Sequence, residues 1–104
     1  MSVPFARVLA ALETIAPLHL AAPWDNVGLL VEPPGRPKPV RRILLTIDCT
    51  APVVAEAAKG GCDLIVSYHS PIFAGLKALR ASDARTRGLL HAAGAGIAIY
   101  SPHT

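Results

Sequence analysis

Leu64, Ile65 and Val66 form a short apolar run of β-rich composition, bounded by Gly60-Gly61 on one side and Pro71 on the other. An uninterrupted run of this kind reads as a strand buried on both faces, since a half-exposed strand would alternate. The run stops at Ser67-Tyr68-His69-Ser70. Four polar-tipped side chains in a row cannot continue a buried strand without stranding donors and acceptors. They are expected to form the loop at the strand's C-terminal end, where open α/β sheets bind ligands.

The flanking chain supports that frame. Arg41 to Asp48 reads as a second strand, with Ile43, Leu44, Leu45 and Ile47 inside and Asp48 at its C-terminal end. Thr50 caps a helix with Pro52 in its first turn, Val54, Ala57 and Ala58 on its inner face, and Gly60-Gly61 as its stop. Ser82 is expected to cap a further helix over 83–93, with Leu89 and Leu90 inward and Gly94 as its stop. Ile97 to Tyr100 then reads as a strand ending in Ser101-Pro102-His103-Thr104.

Towards the N-terminus, Ser2 is placed as the cap of a helix whose apolar stripe is Phe5, Val8, Leu9, Leu12 and Ile15. Asp25-Asn26 before Gly28 is turn chemistry, and Leu29 to Val31 reads as a short strand. Trp24 is expected to be a core anchor. Ile72, Phe73, Leu76 and Leu79 suggest a covering loop or a short helical turn. The segment 33–39 holds four prolines and one glycine and reads as a stiff exposed loop.

Strands alternating with helices predict an α/β domain over 1–104, with a parallel or mixed sheet and flanking helices. Its last three strands would then end on one edge of the sheet, bringing Asp48, His69 and His103 together. A His/His/Asp set suits a divalent metal: imidazole favours zinc or iron, carboxylate the harder manganese or magnesium. A bland alternative stays open, in which both histidines cap strand ends or bond backbone groups.

Composition limits the remaining options. The 104 residues are 52% hydrophobic and 16% charged, so some surface is expected to be covered by another polypeptide. No apolar run approaches the ~18 residues of a membrane span. Cys49 and Cys62 lack zinc-type spacing and read as free thiols of a reducing cytoplasm. Net charge is +3, but no aromatics interleave with the basic groups at 36–42 and 77–87, which argues against nucleic acid. No P-loop, GxGxxG or GxSxG pattern is present.

Three stretches carry a resemblance: Pro23-Trp24-Asp25-Asn26-Val27-Gly28-Leu29-Leu30, Asp63 to Phe73, and Tyr100-Ser101-Pro102-His103-Thr104. Together they resemble the Nif-three-like dinuclear metal family, whose bacterial members are often named GTP cyclohydrolase I type two homologs. The resemblance covers the whole chain in order. It implies a cytoplasmic α/β protein, usually a ring-shaped homo-hexamer, with two metal ions per subunit and a hydrolytic opening of the GTP purine ring. His69 carries over as a metal ligand. Tyr68 stands where the family has a second ligating histidine. A phenol is a poor ligand for most divalent ions at neutral pH, although tyrosinate binds ferric iron. His103 carries over as a motif residue near the site without a fixed ligand role, and Asp25 as a residue near it.

Family members are more than twice as long and supply further ligands beyond the His-Thr pair. The resemblance therefore implies an N-terminal half of a longer architecture with an incomplete site. Two functions follow as expectations: a metal-dependent hydrolase-type domain, or a non-enzymatic assembly or binding module that has lost the dinuclear centre.

Overall fold

The computed structural model describes residues 1–73 and 75–102. Helix α1 (Phe5–Ile15) and a short 3-10 turn (Leu18–Leu20) precede strand β1 (Gly28–Val31). Strand β2 (Ile43–Thr46), helix α2 (Ala51–Lys59), strand β3 (Leu64–Ser67), helix α3 (Ala84–Gly94) and strand β4 (Ala98–Ser101) follow. The strands form one mixed sheet in the order β1-β4-β3-β2. β2 and β4 run parallel to β3, and β1 closes the far side antiparallel to β4. The expected α/β class with a mixed sheet is the fold observed.

β3 lies inside the sheet because its residues tolerate burial on both faces: Leu64, Ile65 and Ser67 are buried and Val66 is half-buried. Ile65 packs with Ile99, Val54, Ala57, Leu89 and Ala92 beneath α2 and α3. Leu64 packs with Ala98 and Tyr100 beneath Phe5, Val8, Leu9 and Leu12 of α1. Three layers result, with α1 on one face of the sheet and the two crossover helices on the other. Gly88 lets those two helices touch, because a Cβ there would stand 3.2 Å from Ala51 Cα. That is too close for backbone that cannot move aside.

Several local expectations are corrected. Ser2 does not cap α1. Pro4 occupies the N-cap position, and Val3 forms a bridge with Val40 instead. Ile15 lies outside the α1 stripe and is 79% exposed. Asp83, not Ser82, caps α3, accepting from Arg85 N at 2.8 Å. This is an N-cap bond made one residue later than the hydroxyl suggested, and the arginine beside it holds the Asp83 carboxyl below its usual range. Phe73, Leu76 and Leu79 are exposed; among the described residues of that loop, Ile72 packs against the core. Trp24 is no core anchor: it is 67% exposed, with its ring 6.3 Å from that of Phe73.

Candidate functional site

β2 and β3 stay zipped together past their regular ends. Tyr68 N donates to Thr46 O and His69 N to Ile47 O, each at 2.9 Å. Two hydroxyls then repeat one device. Thr46 Oγ1 donates to Asp48 O at 2.9 Å, and Ser67 Oγ donates to His69 O at 2.6 Å. Each is a hydroxyl bonding a carbonyl two residues on, which turns the chain sharply at the strand end. The outcome places His69 Nδ1 2.8 Å from Asp48 Oδ1.

The parallel pairing of β2 with β3 therefore brings together two residues 21 positions apart. Both side chains reach water, His69 at 56% and Asp48 at 68% exposure. A carboxylate on Nδ1 selects the tautomer with its proton there and leaves the Nε2 lone pair free. Nε2 is then available to bind a metal ion or accept a proton. Tyr68 is half-exposed beside it, with ring centroids 5.2 Å apart.

Asp25 belongs to a strap formed by the 23–28 turn over the 70–73 loop. Its Oδ1 accepts from Asn26 N at 2.9 Å, Asn26 Nδ2 donates to Ile72 O, and Ser70 Oγ donates to the same carbonyl at 2.9 Å. Among the described residues Asp25 makes no hydrogen bond to His69 or Asp48. His103 lies outside the described residues. Cys49 follows Asp48 but packs against the core, and burial pushes its thiol up to about 11. At neutral pH it is a protonated thiol packed against the core. Ser101 Oγ is buried at the end of β4 and has no hydrogen-bond partner among the described residues.

A metal needs more than this pair. Among the described residues no group of three His, Cys, Asp or Glu side chains is arranged to hold an ion. The described residues fit one imidazole ligand with its orienting carboxylate, and not a closed dinuclear cage. Sequence reasoning missed the hydroxyl latches of Thr46 and Ser67. Their signal was legible as a hydroxyl two residues before each polar strand-end side chain.

No helix among the described residues is long and apolar enough to cross a membrane. Comparison with known proteins places this site in a family. The chain is 48% identical over 99 residues to NIF3-like protein 1 of Drosophila melanogaster, covering 95% of this chain and 34% of that protein. It is 34% identical over 97 residues to the GTP cyclohydrolase 1 type 2 homolog of Clostridium perfringens, covering 93% of this chain and 36% of the relative. The crystal structure of a Bacillus cereus protein related to NIF3 superposes with a TM-score of 0.88 at 32% identity, over 99% of this chain and 28% of that one. The chain thus spans about a third of the length of its curated relatives. The model of the Duf34/NIF3 (NGG1p interacting factor 3) family matches residues 3–104, and the chain belongs to that family.

Proposed function

We propose that this chain carries part of the metal site of a metal-dependent hydrolase-type protein. His69 Nε2 is the ligand, and Asp48 sets the ring's tautomer and direction. The observation that carries this reading is the 2.8 Å His69–Asp48 bond at the C-terminal edge of a parallel strand pair. The name of the Clostridium perfringens relative supports a hydrolytic reaction on a nucleotide such as GTP. The imidazole favours zinc or iron over manganese or magnesium. A bound divalent ion would supply Lewis acidity and an acidified water. The further ligands such an ion needs are not among the described residues. Tyr68 flanks the ring and lines the approach to it. Cytoplasmic residence and a homo-oligomer of the hexameric kind belong to the same reading.

A second reading, a non-enzymatic assembly or binding module, is favoured by one observation: Tyr68, not histidine, stands next to His69. Cobalt or zinc titration of the 104-residue chain separates the two. Under the first reading the wild type binds weakly, His69→Ala abolishes binding, and Asp48→Ala lowers affinity by about tenfold or more. Tyr68→His raises affinity. Identical titrations for wild type and His69→Ala would discard the ligand role and leave the binding module.

A further inference from the structure

We infer, on the reading that this edge of the sheet works on a nucleotide, that Trp24 and Phe73 form a stacking platform for the substrate's planar base beside His69. The distribution of the aromatic side chains, the turns that hold them and their place along the chain all point to it.

The chain has one tryptophan, two tyrosines and two phenylalanines. Phe5 and Tyr100 belong to the core between α1 and the sheet. The other three face water: Trp24 is 67%, Phe73 64% and Tyr68 50% exposed. Each of these lies in the 23–28 turn or within four residues of His69. An exposed aliphatic side chain can be covered by any apolar surface. Exposed rings gathered around one candidate site suit a narrower class of ligand, one with a flat π face of its own.

The two rings of the platform are held before any ligand arrives. Asp25 N donates to Ala22 O at 2.9 Å, closing a turn with Pro23 and Trp24 at its centre. Asn26 Nδ2 donates to Ile72 O, which also accepts from Ser70 Oγ at 2.9 Å, and Ile72 N donates back to Ser70 Oγ at 3.3 Å. These bonds tie the segment before Phe73 to the segment after Trp24. The ring centroids stand 6.3 Å apart, with the planes inclined by 46°. A tilted pair does not cover both faces of either ring, and the exposure of the indole leaves room for a base to lie flat on it. Rings already fixed lose little freedom on binding, which is what preorganisation contributes to affinity.

Position completes the case. Phe73 follows His69 by four residues, so their Cα atoms lie at most about 14 Å apart, and the turn at Ser70 shortens that span. A nucleotide seated on the platform is therefore a neighbour of the imidazole. Stacking grips a ring by its face and reads none of its edge groups, so the platform takes purines as a class, and selection among them belongs to other residues.

Trp24 is the one tryptophan of the chain, so its fluorescence reports the platform directly. The 104-residue chain is titrated with GMP in the presence of a chelator, so that no metal is needed. GMP is expected to quench the emission saturably, AMP to bind within about threefold of GMP, and ribose 5-phosphate to leave the emission unchanged. By equilibrium dialysis, Trp24→Leu is expected to weaken GMP binding at least about tenfold and Phe73→Leu about fivefold, while Trp24→Phe retains most of it. Both side chains are exposed, so these variants should unfold at the wild-type temperature. Quenching that is linear in GMP and equal to that of free N-acetyltryptophanamide is collisional and overturns the proposal. Equal quenching by ribose 5-phosphate, or GMP binding unchanged in Trp24→Leu, overturns it as well and leaves the rings to a further stretch of polypeptide. Because metal is withheld, failure here leaves the ligand role of His69 standing, and failure of the cobalt titration leaves the platform standing.

Discussion

Asp63 and Asp48 sit at opposite ends of the same strand pair and do opposite things. Asp63 precedes β3, with its side chain only 15% exposed. Its Oδ2 accepts from Arg41 N at 2.9 Å and Arg42 N at 3.3 Å, while Oδ1 lies 3.5 Å from Lys38 Nζ. Its own backbone bonds Arg42 O and Ala98 N, so one residue ties the starts of three strands or loops together. Asp48 follows β2, is 68% exposed, and spends its carboxylate on the His69 imidazole. One end of the strand pair has its polar capacity consumed by the chain itself. The other holds an imidazole in place with a nitrogen left over, which is what a binding site requires.

Substitutions can break or sharpen that contrast. The largest expected effect is Asp63→Ala. It strands two backbone donors at the start of β2 and is expected to cost about 3 kcal/mol, from charge-assisted hydrogen bonds of ~1.5–3 kcal/mol each. Urea denaturation measures it. A loss as large in Asp48→Ala would erase the distinction between the two carboxylates.

Gly96→Ala should come next, at about 1 kcal/mol. Gly96 holds a positive φ of 74°, and a Cβ there would stand 3.1 Å from Lys38 Nζ. The lysine can swing aside, so most of the cost is backbone strain. Thermal unfolding of Gly96→Ala, alone and with Lys38→Met, separates that strain from displacement of the lysine.

Lys38→Met tests how much of the Asp63 end is electrostatic. Lys38 is 49% exposed, so the pair is screened, and the expected loss is at most about 0.5 kcal/mol. High salt should remove most of it. The smallest effect on stability is expected from Asp48→Ala, within about 0.5 kcal/mol of wild type. Its consequence should appear instead in the His69 ring, whose Nδ1 and Nε2 tautomers should become mixed by nitrogen NMR. A ring locked as in the wild type would mean that Asp48 does not orient it.

Much of this arrangement was readable in advance. β3, α2 and β4 each carry an apolar run or stripe bounded by glycine, proline or a capping residue, so local chemistry marks both the element and its end. The meeting of Asp48 with His69 was readable too, because parallel neighbours end on one side of a sheet. Trp24 was not readable. An indole is equally at home in a core or against another exposed ring, and only the position of the 70–73 loop decides between them. Ser2 failed as a cap for a similar reason: the pairing of Val3 with Val40 draws the chain into an extended form before any helix can begin.

The sequence by itself determined the elements, the order of strands and helices, and the family, since these rest on residue type, spacing and neighbours close along the chain. Only the tertiary structure decided which nitrogen of His69 is held, that the turn of Asp25 and Asn26 straps the 70–73 loop, and that α1 stops short of β2. Those outcomes depend on contacts between segments far apart in the chain. Their distances are set by how whole faces pack, and no local pattern encodes them.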